Sequence, residues 1–189
     1  MTDFRKALLQ LEVPSDIRRI AENVQSDAEV HALYALLFEA DEALAYRAAW
    51  TLGHLPPAWN ARLCGKRDEL VDAVLCCPHA GRRRLLLHLI YRQPQPVPPR
   101  VDFLDFCLER MTSSGEPHGV RMFCIKLGYE MCRTDCDLLR EFRALLEIME
   151  PDLLPPSLRA VRRNVLAALE KNRPLPRRSF SGSRKRNIF

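Results

Sequence analysis

Arginines at repeated spacing are the first residues in this chain that could do chemistry. Arg83, Arg121 and Arg159 stand 38 residues apart, and Arg47 and Arg84 lie near the same register. A guanidinium is a planar fork of donors that matches carboxylate and phosphate oxygens. A ladder of them therefore reads as a groove for an acidic peptide or a phosphate backbone. The same side chains can instead pair with acids in turns or cap backbone carbonyls, and at this level both readings stand. A second set carries aromatic and aliphatic bulk: Trp50 with His54, Leu87 with Tyr91, and Ile125 with Tyr129. Polar-tipped aromatics in successive units suit a protein or peptide groove, or they form a second core beneath neighbouring elements. His88 and Lys126 sit beside core positions and join the groove candidates.

Enzyme constellations are poor. The chain has no Gly-rich phosphate loop, no nucleophile elbow and no HExxH. No catalytic residue is assigned and no cofactor is expected. His31, His54, His79, His88 and His118 are scattered. The seven cysteines, Cys64, Cys76, Cys77, Cys107, Cys124, Cys132 and Cys136, are odd in number and several fall at apolar helical positions. They read as free, buried, reduced thiols. A metal could draw on Cys76, Cys77 and His79 with Cys64, or on Cys132 with Cys136. Neither set has the paired CxxC spacing of a tetrahedral zinc site, so no metal ligand is assigned.

The formal charge of +5 is unevenly placed. Arg173, Arg177, Arg178, Arg184, Lys185 and Arg186 crowd residues 173–189, which hold no acid. Taking those six from the 29 bases leaves 23 against 24 acids, so the rest of the chain is close to neutral. That balance argues against a broad nucleic-acid footprint on the folded part. The segment itself, with its prolines, serines and bases, has the composition of a flexible tail that could touch an acidic partner or accept phosphate at Ser179.

The elements that must position these groups follow from an internal repeat. Helical segments are predicted at Glu42–Leu55, Gly81–Gln93, Pro117–Arg133 and Pro155–Lys171. Leu52, Leu89, Leu127 and Val165 align them at steps of 37, 38 and 38 residues. One turn earlier sit Ala48, Leu85, Phe123 and Val161, all apolar. Directly before each anchor sit Thr51, His88, Lys126 and Asn164, all polar. Each segment follows another with apolar residues at i, i+3, i+4 and i+7: Asp27–Glu39, Lys66–Cys76, Val101–Thr112 and Asp135–Met149. Prolines at 56–57, 94–99, 151 and 155–156 stop them. A shorter pair, Phe4–Glu12 and Ser15–Gln25, lies outside the register and reads as an N-terminal cap.

A helix pair cannot bury its apolar faces alone, and stacking consecutive pairs supplies a continuous core. The expected fold is all-α, a right-handed α-solenoid of about five antiparallel helix pairs. Residues 1–172 are expected to form one domain, with 1–26 the cap and 27–172 the repeats, and 173–189 the basic tail.

The stretch Ala45-Tyr46-Arg47-Ala48-Ala49-Trp50-Thr51-Leu52-Gly53-His54-Leu55 resembles the second helix of a HEAT or armadillo-like repeat, and Lys126-Leu127-Gly128 echoes its Leu-Gly pair. Asp41 fits the aspartate such repeats carry in the preceding turn, a position that Pro78-His79-Ala80 and Glu116-Pro117-His118 fill differently. The resemblance covers roughly residues 27–171. It implies a non-enzymatic scaffold that binds a protein or peptide along the groove of the second helices. The alternative it carries is a DNA-binding or DNA-repair protein similar to the HEAT-like alkylpurine glycosylases. No secretory signal or membrane span is visible in the sequence, so a cytoplasmic protein without membrane attachment is expected.

Overall fold

The computed structural model describes residues 3–11 and 13–176. Among them every regular element is helical: α1 (Phe4–Leu9), α2 (Pro14–Glu22), α3 (Asp27–Ala35), α4 (Glu42–His54), α5 (Pro57–Ala61), α6 (Arg67–Leu75), α7 (Ala80–Tyr91), α8 (Val101–Thr112), α9 (His118–Cys132), α10 (Cys136–Ile148) and α11 (Pro156–Glu170). The fold is of the all-α, solenoid class, built from helix pairs. The chain gathers into two compact units, one on Met1–Leu63 and the other on Cys64–Leu175. In stacked repeats each pair touches only its neighbours, so contact density varies along the chain.

Local chemistry explains where the helices begin. Asp41 Oδ1 accepts the amide hydrogens of Ala43 and Leu44 at 3.0 and 3.1 Å, capping α4. Asp135 does the same for Asp137 and Leu138 ahead of α10. Before α7, where the aspartate is missing, His79 Nδ1 accepts from the Arg82 amide at 3.3 Å. A helix N-terminus leaves amides without partners, and any side-chain acceptor in reach serves. Pro57 and Pro156 open α5 and α11, since proline lacks only an amide hydrogen that the first turn cannot use. That dual role is why α5 was not foreseen: Pro56-Pro57 ends one helix and starts another. The segment expected at Asp27–Glu39 tightens into a 3₁₀ turn at Leu36–Phe38.

In the unit of Met1–Leu63, α1, α2 and α3 all pack on α4. In the unit of Cys64–Leu175, α6 pairs with α7 and α8 with α9, and α9 lies between α7 and α11. Within this second unit the second helices of successive repeats, α7, α9 and α11, are thus side by side. Leu52, Leu89, Leu127 and Val165 are all buried, as are Ala48, Leu85, Phe123 and Val161. The polar column behaves differently. Thr51 is buried with its hydroxyl donating to the Arg47 carbonyl at 2.9 Å, whereas His88 and Lys126 are half-buried and Asn164 is exposed.

Candidate functional site

Four of the five ladder arginines, Arg47, Arg83, Arg121 and Arg159, donate to backbone carbonyls at or just beyond helix ends. Arg121 Nε donates to the Met111 carbonyl at 3.1 Å. Arg159 Nη2 donates to Leu154 O at 3.3 Å. Arg83 donates through Nη2 and Nε to Cys77 O at 2.6 and 3.2 Å, and also pairs with Glu116. In the other unit Arg47 Nη1 reaches Leu8 O at 2.8 Å and Leu9 O at 3.2 Å. The last carbonyls of a helix lack intrahelical partners, and a long cationic donor from the next helix satisfies them. Arg121 is only 9% exposed, and burial lowers its pKa from the ordinary guanidinium value. Arg47, Arg121 and Arg159, expected to line a groove, therefore have their donors directed at backbone.

The aromatic column is also interior at one end. Tyr129 is 0% exposed and Tyr91 8%. Tyr129 lies beneath the chain that leaves α11. Asn172 adopts a left-handed φ of 42°. Its amide and that of Arg173 then bond back to Leu169 O and Ala168 O, each at 3.1 Å. This is the Schellman closure, with asparagine in the place glycine usually takes. It turns the chain back across α9, where Tyr129 Oη donates to Arg173 O at 2.7 Å and Glu130 Oε1 accepts the Leu175 amide at 2.8 Å. Leu175 is buried. The expected tail, 173–189, thus begins as a packed strap over 173–175. Tyr129 leaves the groove for the core, and burial, with Glu130 beside it, raises its pKa. Arg177, Arg178, Arg184, Lys185 and Arg186, and Ser179 with them, lie outside the described residues.

A smaller cluster on α7 and α9 remains at the surface. Lys126 Nζ lies 5.4 Å from the ring centres of both Tyr91 and Phe123. His88 packs on Phe123 with ring centres 5.3 Å apart. Arg84, half-buried, passes over Gly119, where a Cβ would stand 2.4 Å from Arg84 Cδ. Lys126 forms no ion pair among the described residues. Burial lowers its pKa, and no carboxylate acts against that shift. A desolvated ammonium held on two ring faces is a cation positioned for an anion it does not yet have.

Charge is sorted by helix around this cluster. α6, α8 and α10 carry three acids each, against one, one and two Arg or Lys. α7, α9 and α11 carry three, two and three Arg or Lys, against none, one and one acid. Near-neutrality of the whole hides this separation, and only a count taken helix by helix could have found it in the sequence.

Helix pairs in which second helices align, with buried anchors recurring every 37 or 38 residues, decide the family. The chain matches the HEAT repeat domain family over residues 4–169. It belongs to that family. No curated protein and no solved structure matched it. On α4 of this HEAT repeat domain, Trp50 sits between Tyr46 and His54, with ring centres at 6.2 and 6.4 Å. The thiols offer no nucleophile in the second unit's core. Burial pushes Cys107 well above the usual thiol range and Cys132 to about 12, and a protonated thiol does not attack. Cys64, Cys76 and Cys136, expected to be buried, are instead exposed, while the other four are buried. Among the described residues no three His, Cys, Asp or Glu side chains gather as a metal-holding group, and no helix is long and apolar enough to cross a membrane.

Proposed function

We propose that this HEAT repeat domain is a non-enzymatic scaffold that binds a protein segment on the second helices of its Cys64–Leu175 unit. The observation that carries this reading is the open polar column His88, Lys126 and Asn164 on α7, α9 and α11. Buried apolar anchors stand directly behind it. Rigid helices present that column at fixed spacing, which lowers the ordering cost of binding. Aromatic rings beneath the cations add the contact area typical of interface centres. Free thiols at all seven cysteines support action in a reducing compartment such as the cytoplasm.

Site-specific photocrosslinking tests the reading. A benzophenone side chain placed at Arg84 or Asn164 should capture a discrete partner in cells. The same group at Asp105 on α8 or Glu141 on α10, both exposed, should not. Equal capture from both sets, or capture from the first helices alone, would overturn it.

A further inference from the structure

We infer that the cluster of Arg84, His88 and Lys126 takes an acidic peptide whose carboxylates stand three residues apart and which crosses α7, α9 and α11 toward Asn164. This deepens the scaffold reading and rests on it. The two helices that carry the cluster offer it no free carboxylate: α7 has no acid, and the one acid of α9, Glu130, is buried and already bound to Leu175 N–H and Arg133. Carboxylate oxygens fit its chemistry, since Arg84 and Lys126 offer donors and the rings beneath exclude water.

Spacing follows from the packing. Neighbouring helices sit about 8–10 Å apart, and a chain in the polyproline II conformation rises about 3.1 Å per residue with three residues per turn, so every third side chain returns to one face about 9 Å further on. A side chain anchored at Arg84 and His88 on α7 is therefore followed, three residues on, by one that reaches Lys126 on α9. The next third residue meets the Asn164 amide on α11. Residues between them point away from the helices or toward solvent.

An acidic peptide fits better than a nucleic acid. Four arginines of the second helices, Arg83, Arg121, Arg159 and Arg162, have their donors on backbone carbonyls. The cations left on the face are few beside the roughly 6–10 phosphate contacts that give nucleic-acid binders their affinity. The acid-rich first helices of the same unit also oppose the approach of a long polyanion.

Fluorescence anisotropy on the full chain tests the inference. The probe is a labelled peptide of about 12 residues, enough to cross three helices, with glutamate at every third position among glycine and serine. It is compared with the same composition carrying its glutamates in one block, with a lysine version, and with a short DNA duplex. The spaced acidic peptide should bind at least about tenfold tighter than the lysine peptide, and detectably tighter than the blocked one, with affinity falling as salt rises. Arg84→Glu and Lys126→Glu should each weaken it about tenfold. Lys126→Arg, which keeps the charge, should retain binding, and Asp105→Lys on α8 should leave it unchanged. Circular dichroism of each variant separates loss of contact from loss of fold. Absence of binding, equal affinity for the blocked or lysine peptide, or tighter duplex binding lost in the same variants would overturn the inference. Crosslinks confined to Arg84 and Asn164 in that case would leave the scaffold reading standing, so the two failures are distinguishable.

Discussion

Arg121 and Arg159 occupy one repeat position and make one kind of bond, yet they differ in burial. Arg121 is enclosed and Arg159 exposed, so the cost of removing each should differ. Arg121→Met leaves the Met111 carbonyl without its donor in the interior, a loss of about 1–3 kcal/mol. Arg159→Met lets water take over at Leu154 O and should cost less than about 1 kcal/mol. Urea denaturation of the two variants checks the order. A ladder built for a ligand would instead lose binding with little change in stability. The type and spacing of these arginines were legible in the sequence, and so were both of their roles. Which role holds depends on where a carbonyl oxygen lies, and a carbonyl has no signature among side chains.

Helices α9 and α10 owe their close approach to Gly128. A Cβ there would stand 2.9 Å from Phe142 Cε2 and 3.3 Å from Cδ2, and Phe142 is fully buried. Gly128→Ala should therefore force the ring or the helix to shift, at about 1–3 kcal/mol, measured as a lower midpoint in urea. Gly119 is a gentler case, because the atom in the way is the aliphatic stem of Arg84, which can move. The Leu127-Gly128 pair was legible as a repeat signature; that its glycine serves an aromatic neighbour on the next helix was not. Helix existence was plain from the 3.6-residue periodicity, and ends differed by one to four residues, most at the C-termini of α1, α2 and α3. The missed α-helix, α5, lay behind a diproline that reads only as a stop.

On the scale of the molecule, the strap over 173–175 shows how composition can mislead. Prolines and bases mark the segment as solvated, yet Leu175 packs and Tyr129 holds Arg173 O. Tyr129→Phe should cost on the order of 1 kcal/mol and Leu175→Ala on the order of 2 kcal/mol. Both should speed amide hydrogen exchange at Leu175 while leaving α7 protected. Unchanged exchange would mean that the two contacts do not hold the strap. The sequence by itself determined the fold class, the repeat period, the buried anchors and the polar column, because helical periodicity and hydrophobic burial are local and additive along the chain. Only the tertiary structure decided which of the polar and aromatic groups stay open. That choice depends on partners distant in sequence: a carbonyl ten residues away for Arg121, a returning chain 44 residues away for Tyr129, and for Lys126 two rings and no carboxylate. Burial of a side chain is a property of what covers it, and covering groups arrive from elsewhere in the fold.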